Sequence, residues 1–143
     1  MILKWYHCNM KLLTRNTDYA VRAICSMAAR PNNIVTATEL VSELKIPKPF
    51  LRKILQILNK KGIVKSTKGS GGGFVLARKP NDIYLVTLIE AFQGPLSINE
   101  CIFKKRVCPN RKTCPLKKKI TEIENKVENE LRSITIGSLL SKG

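Results

Sequence analysis

Acidic residues are scarce in this chain: 10 Asp and Glu stand against 26 Lys and Arg, which gives a formal net charge of +16. Such an imbalance costs self-repulsion in a compact fold, and a polyanionic partner relieves it. Nucleic acid is the commonest such partner of a basic domain; an anionic membrane surface and simple solubility are the alternatives. The charge therefore favours nucleic acid.

Histidine and aromatic residues are also rare. The one histidine is His7, and aromatic residues make up 6% of the chain. With so few acids and one histidine, no base stands beside a nucleophile, so we expect no enzyme. Few aromatic residues disfavour a β-sandwich or barrel and suit a small helical domain.

Long apolar runs are missing too. None approaches the roughly 20 residues needed to cross a bilayer. Residues 1–10 have no continuous apolar core and no small-residue cleavage site, so they do not resemble a signal peptide. We expect a soluble, cytoplasmic protein that does not bind membranes and whose thiols stay reduced.

The helical patterns that are present predict a helix-turn-helix. Thr17 and Asp18 precede an apolar pattern at helical spacing that stops at Pro31. Thr36 and Glu39 have the spacing of a capping box. Prolines then open a further helix, which runs to Gly62. Its apolar positions follow the i, i+3, i+4, i+7 spacing of an amphipathic helix: Leu51, Ile54, Leu55 and Leu58.

A β-hairpin is predicted directly after that helix. Residues 63–65 and 74–76 form two extended segments around the glycine-rich stretch 67–73. A hairpin in this position is the wing of a winged helix-turn-helix. A phosphate-binding P-loop is the rival interpretation of the glycines, but no Gly-Lys-Ser/Thr follows at the spacing it needs.

The charge is concentrated on this part of the chain. Residues 45–79 contain ten basic residues and no acidic one, whereas a merely solvated surface mixes the two signs. We expect Arg52 and Lys53 to pair with guanine edges, and Lys65 and Lys68 to meet phosphates or the minor groove. Phe50 either touches a thymine methyl or staples the helix to the core. The predicted DNA-binding residues are Lys48, Pro49, Phe50, Arg52, Lys53, Lys65, Lys68, Gly69, Ser70 and Gly71.

A narrow apolar seam marks the last long helix, after a short helix predicted at residues 86–92. The spacings within the seam are 3, 4, 4 and 3 residues, and charged residues flank it, as in a coiled coil. A two-fold homodimer is favoured over packing within the chain, because the stripe is thin for a core helix. The predicted dimerisation residues are Ile120, Ile123, Val127, Leu131 and Ile134.

Three of the five cysteines cluster. Cys101, Cys108 and Cys114 are separated by six and five residues, in a segment with no acid from residue 102 to residue 120. An odd cysteine count argues against a disulfide framework. Structural zinc is usually bound by pairs of ligands that lie closer together in sequence than these cysteines, whereas iron-sulfur clusters accept thiolate ligands at wider spacing. Zinc and free redox-active thiols remain as alternatives to a cluster. Cys25 lies among apolar helix positions and is expected to be a buried structural thiol.

Together these motifs resemble the Rrf2 family of winged-helix regulators. The resemblance covers residues 10–140 and is carried by residues 16–23, the helix at 46–58, the wing at 68–77 and the three cysteines. It implies a mostly α fold with a small β-wing and a long C-terminal dimerisation helix. It also implies a homodimer on double-stranded DNA at a palindromic operator, and repression controlled by the state of an iron-sulfur cluster.

The same resemblance implies a domain organisation. Residues 1–9 are an N-terminal extension, and residues 10–95 are the winged helix-turn-helix DNA-binding domain. Residues 96–116 are the cysteine loop that binds the cluster. Residues 117–143 are the dimerisation helix and a C-terminal tail.

The fourth ligand of the iron-sulfur cluster differs between branches of the family. Some members use a histidine shortly after the third cysteine, and this chain has none there. The nitric-oxide-responsive repressors use an aspartate of the first helix, which matches Asp18, supplied by the partner subunit. The resemblance thus points to a nitric-oxide-sensing repressor with a 4Fe-4S or 2Fe-2S cluster. The alternative for Asp18 is an ordinary carboxylate at a helix N-terminus.

The first cysteine gap is one residue longer than in many relatives. Relatives without the cysteines act through a partner enzyme, a mode that the three cysteines disfavour.

Overall fold

A computed structural model of the chain describes residues 12–96 and 113–141. In chain order the elements are α1 (Arg15–Ala28), α2 (Ala37–Leu44), α3 (Lys48–Lys60), β1 (Val64–Thr67), β2 (Gly73–Leu76), a 3-10 turn (Pro80–Asp82), α4 (Leu85–Gln93), α5 (Pro115–Ser133) and α6 (Ile136–Ser141). The expected fold class, mostly α with a small β-wing and a long C-terminal helix, is confirmed. The cysteines at 8, 101 and 108 and the extension at 1–9 lie outside the described residues.

Helix α1 begins earlier than the pattern predicts. Thr14 is its N-cap, and the Thr14 hydroxyl accepts a bond from the Thr17 backbone N–H. Thr17, expected near the helix entrance, is instead inside the first turn and completely buried. The prediction missed three residues because Thr14 and Thr17 are both suitable caps and only their packing distinguishes them.

The predicted capping box of α2 is confirmed. The Thr36 hydroxyl accepts a bond from the Glu39 backbone N–H at 3.1 Å, and the Glu39 carboxylate accepts one from the Thr36 backbone N–H at 2.7 Å. The Thr36 hydroxyl also donates to this carboxylate at 2.8 Å, and the bonds from the Thr36 backbone and hydroxyl lower the pKa of Glu39. Two backbone N–H groups that the helix leaves unpaired are thereby satisfied.

One apolar core joins the first three helices to the hairpin. The predicted apolar face of α3 is confirmed: Leu51, Ile54, Leu55 and Leu58 are each at most 2% exposed. They pack with Ile24 of α1 and with other buried residues, among them Leu40 and Ile63. Burial of each such side chain contributes about 1.5–3 kcal/mol, so the orientation of α3 on the body is strongly determined.

The end of the chain returns to this core. Ile136 of α6 is fully buried there, and its N–H donates to the Ile83 carbonyl at 2.9 Å. Tyr84 and Thr135 form an antiparallel bridge. Gly137 lies so close to Asn81 that a Cβ would fall 1.7 Å from the Asn81 Oδ1, so a larger residue here requires the Asn81 side chain to move. The tail expected after the dimerisation helix therefore contains a helix that belongs to the winged-helix body.

A second, smaller apolar cluster fixes α5. Leu131 is 7% exposed and packs with Leu85 and Ile89 of α4, with Val127 and Ile134 at the margin. Arg132 donates to the Glu128 carboxylate and lies 3.9 Å from that of Glu90, which adds an ionic contact between α5 and α4. Within the described residues, no helix is both long and apolar enough to cross a membrane.

Candidate nucleic-acid interface

The start of α3 carries three exposed basic side chains within six residues: Lys48, Arg52 and Lys53. Pro49 lies in the first turn, where its missing N–H costs no hydrogen bond, and no acidic residue occupies that turn. Burial of Leu51 and Leu55 turns the opposite side of the helix to solvent. Lys48, Pro49, Arg52, Lys53 and Gln56 line a groove there of about 580 Å³.

The helix dipole adds to the charge of these side chains. The N-terminus of α3 has unpaired backbone N–H groups and a partial positive charge, and Pro47 provides no side-chain cap. Phosphates are favoured at such an end. The first turns of α3 are therefore suited to a polyanion both through the backbone and through the lysine and arginine side chains.

Phe50 is half exposed, at 51%, and is not among the partly buried residues packed on the core. Of the two alternatives left open by its sequence position, the staple to the core lacks a structural basis. Phe50 lies in the first turn of α3, although it is not among the residues that line the groove. This placement favours contact with a partner.

The wing is confirmed as a two-stranded antiparallel hairpin, in which Val64 pairs with Leu76 and Thr67 with Gly73. At its tip, Gly69 and Gly71 have φ of +99° and +77°, which side chains rarely adopt. At Gly72, a Cβ would lie 2.3 Å from the Thr67 carbonyl oxygen. The turn therefore depends on its glycines, and it leaves Lys68 and Ser70 exposed on a nearly bare backbone.

The hairpin is attached rigidly to the body. Val35 and Phe74 exchange two backbone hydrogen bonds of 2.8 Å, and a Cβ on Gly73 would lie 2.7 Å from the Val35 carbonyl oxygen. Val35 is 1% exposed and belongs to the core. The wing and α3 are thus held by the same core.

All ten basic residues between positions 45 and 79 are exposed, and none forms an ion pair with a carboxylate of the described residues. Elsewhere basic residues do find partners: Arg22 pairs with Asp18 at 3.1 Å, and Arg30 pairs with Glu43. The ten unpaired residues, which we call the basic face, are Lys45, Lys48, Arg52, Lys53, Lys60, Lys61, Lys65, Lys68, Arg78 and Lys79.

Only one of the three clustered cysteines lies within the described residues. Cys114 is half-buried and is the N-cap of α5, just before Pro115. Cys25 is half-buried in α1, and burial raises the pKa of its thiol, which fits a structural role. Asp18 is in the first turn of α1 with its side chain 44% exposed, so its carboxylate is accessible to a partner.

The predicted seam of α5 divides into two parts. Val127, Leu131 and Ile134 pack on α4 of their own chain. Ile120 is half-buried, and Ile123 is 45% exposed. Leu116, one turn before Ile120, is 70% exposed. The N-terminal half of α5 thus has the apolar surface available to a second subunit.

One polar residue that sequence reasoning missed joins the end of α4 to the start of α1. The Gln93 Oε1 accepts bonds from the Thr14 N–H at 2.9 Å and the Thr17 hydroxyl at 2.8 Å, and its Nε2 donates to the Leu12 carbonyl at 3.3 Å. These partners lie more than 75 positions away along the chain, and no local pattern connects them.

Comparison with known proteins shows the family and the fold of the chain. A family model described as Rrf2, an iron-dependent transcriptional regulator, matches residues 13–142. A putative HTH-type transcriptional regulator of Aquifex aeolicus is 30% identical over 125 residues, which are 86% of this chain and 87% of that protein. The HTH-type transcriptional regulator NsrR of Bacillus subtilis is 30% identical over 112 residues, 77% of each chain.

Two solved structures share the fold. The global cysteine regulator CymR of B. subtilis has a TM-score of 0.79 at 22% identity, covering 94% of this chain and 99% of its own. IscR of T. potens has a TM-score of 0.71 at 24% identity, covering 91% and 86%.

A helix-turn-helix followed by a β-hairpin wing, both exposing basic side chains, defines the winged helix-turn-helix class. Within that class, the chain belongs to the Rrf2 family of transcriptional regulators, as the family model and the Aquifex relative show. It is a regulator and not an enzyme.

Proposed function

We propose that this Rrf2-family regulator represses transcription as a homodimer that binds a palindromic operator through α3 and the wing. The observation that carries the proposal is the basic face: ten exposed cations, unpaired within the described residues. Six of them lie on α3 and the wing, the two elements that enter the grooves in winged helix-turn-helix proteins, and the other four lie in the flanking segments. Phosphate neutralisation supplies most non-specific affinity for DNA. Arg52 and Lys53 then read guanine edges, and Lys65, Lys68 and the wing backbone hold phosphates.

The exposed half of α5 is the proposed dimer interface, through Leu116, Ile120 and Ile123. Operator half-sites one helical turn apart require two recognition helices at a defined separation, which a two-fold dimer provides. The proposed domain organisation consists of the winged-helix body at 10–95, the cysteine loop at 96–116 and the dimerisation region at 117–143. Folding of α6 onto the body supports treating the tail as part of that body.

We further propose that an iron-sulfur cluster, 4Fe-4S or 2Fe-2S, controls operator affinity. The donor set fits: three thiols lie within 14 residues at 101–114, flanked by basic residues that favour thiolates. Cys101, Cys108 and Cys114 are the proposed ligands, with Asp18 of the partner subunit as the fourth. When bound, the cluster supplies iron that reacts with nitric oxide. Similarity to NsrR and the iron-dependent description of the family support this assignment.

The chain's own residues connect this site to the basic face. Cys114 caps α5, whose far end packs on α4 through Leu131. Gln93 then joins α4 to the start of α1, which carries Asp18. We propose that a change at the cysteines acts on the body that holds α3 through this packing of α5 on α4.

A thiol-based or zinc-stabilised regulator without a cluster is the alternative. The thiols themselves support it, because a basic environment also favours reactive thiolates. The cluster-binding and cluster-free alternatives are distinguished by anaerobic purification followed by visible absorption and by analysis of iron, sulfide and zinc. We expect a coloured protein with iron and sulfide that responds to nitric oxide. A colourless protein with one zinc per chain contradicts the sensor assignment.

A further inference from the structure

Gln56 occupies an unusual place on α3. It lies one turn after Arg52 and lines the same groove as Lys48, Pro49, Arg52 and Lys53. It is the one uncharged polar side chain among these lining residues. It is exposed, whereas the next residues toward the core, Leu55 and Leu58, are fully buried.

The amide of Gln56 does not stabilise the described part of the chain through a hydrogen bond. It makes no side-chain hydrogen bond to any residue in 12–96 or 113–141. The other glutamine, Gln93, behaves oppositely, because its amide makes three hydrogen bonds to the start of α1. Folding therefore engages one of the two glutamine amides and leaves the other facing the groove.

An uncharged amide neutralises no phosphate charge, whereas it matches one base edge well. Its oxygen accepts and its nitrogen donates side by side, which complements the N6 donor and N7 acceptor of adenine in the major groove. Lysine and arginine have only donors and pair with guanine instead. A groove lined by both types is able to distinguish base pairs at more than one position.

We propose that Gln56 is a specificity-determining residue that reads an adenine in each operator half-site. Four residues of helix separate it from Arg52, an axial rise of about 6 Å. A recognition helix that lies along the groove therefore places Gln56 against a different base pair from the one that Arg52 reads. The assignment rests on the proposed operator binding by α3, and it concerns which sequence is bound rather than how strongly DNA is held.

The test is selection of duplexes from a randomised pool by the full-length protein, followed by titration of the selected duplex and its single-base variants. The wild-type protein is expected to enrich a palindrome with an A·T pair at one position of each half-site. Gln56→Ala is expected to lose roughly 10- to 100-fold of the discrimination at that position, with unchanged salt dependence. Gln56→Glu, whose carboxylate only accepts, is expected to shift the preference to C·G there.

Asn59→Ala is the matched control, because Asn59 is an exposed amide on α3 that does not line the groove. It is expected to leave every base preference unchanged. Identical enriched sequences for the wild type and both Gln56 variants overturn the assignment while leaving operator binding intact. Failure of the wild type to enrich any sequence instead overturns the proposed function, so the two failures are distinguishable.

Discussion

The side-chain oxygen of Gln93 lies 2.8 Å from the hydroxyl of Thr17 and joins the last residue of α4 to the first turn of α1. Thr17 is fully buried, so its hydroxyl depends on this partner and on Thr14. Gln93 also accepts from the Thr14 backbone and donates to that of Leu12. One amide thus satisfies three polar groups where the ends of two helices meet.

Replacement of Gln93 by alanine is expected to lower the free energy of unfolding by about 1–3 kcal/mol, because it removes a hydrogen-bond partner from the buried Thr17 hydroxyl and from the half-buried Thr14 N–H. Urea unfolding followed by circular dichroism measures this. Gln56→Ala is the matched control, since the Gln56 amide has no partner in the described residues, and its effect is expected to stay within about 0.5 kcal/mol. Equal effects of the two substitutions would mean that the Gln93 bonds contribute nothing.

Leu131 and Ile123 lie on the same helix, but their replacement is expected to change different properties: folding stability for Leu131 and dimerisation for Ile123. Leu131→Ala opens a cavity in the cluster between α5 and α4, at a cost of about 2–4 kcal/mol of folding stability. Ile123→Ala removes exposed apolar surface. It is expected to raise the dimer dissociation constant at least about 5-fold, with little effect on the unfolding of the separated chain.

Sedimentation equilibrium measures the dissociation constant, and urea unfolding at low protein concentration measures stability. Dimerisation that is unaffected by Ile123→Ala would place the subunit interface elsewhere.

Lys68 at the wing tip is expected to contribute to affinity without selecting sequence. Lys68→Ala should weaken binding to all duplexes and reduce the slope of log affinity against log salt by about one unit. Fluorescence anisotropy at several salt concentrations gives both values. Lys126→Ala, an exposed lysine of α5 outside the basic face, is the control and should leave the slope unchanged. An unchanged slope in Lys68→Ala would show that the wing does not touch DNA.

Glu39 is expected to make a small part of the stability dependent on pH. Its pKa is lowered from 4.5 by hydrogen bonds from the Thr36 backbone and hydroxyl. Because the folded pKa lies below the unfolded one, this contribution is complete above about pH 4.5 and disappears as pH falls through the folded pKa. Glu39→Gln keeps an acceptor in the capping box but cannot titrate.

The urea midpoint of the wild type should therefore fall more steeply than that of Glu39→Gln between about pH 5 and about pH 3. Parallel curves would show that the carboxylate is not held by the cap.

Local rules were sufficient to predict most of the DNA-binding half from sequence. The capping box at Thr36, the helix opened by Pro49 and the hairpin around Gly69 each depend on neighbouring residues, so periodicity and turn chemistry reveal them. The apolar face of α3 was predicted residue by residue for the same reason. Its exposed face follows once the buried one is known.

Long-range packing was not visible in the pattern. The seam of α5 has the spacing of a coiled coil along its whole length, yet Leu131 packs on Leu85 of its own chain. A stripe of apolar residues does not indicate whether it packs against its own chain or against a second subunit. The Gln93 bonds and the return of Ile136 to the core likewise join residues distant in sequence, which single-chain patterns do not record.

We propose that the group bound by the three thiols sets the affinity of the basic face for DNA. The most direct measurement is anaerobic titration of one selected duplex with the loaded protein, the same protein after cluster removal, and Cys114→Ser. We expect tight binding by the loaded protein and binding weaker by about 10-fold or more for the other two, within the usual range of coupling between sites. Equal affinity of all three would contradict it, even though the fold and the basic face would remain.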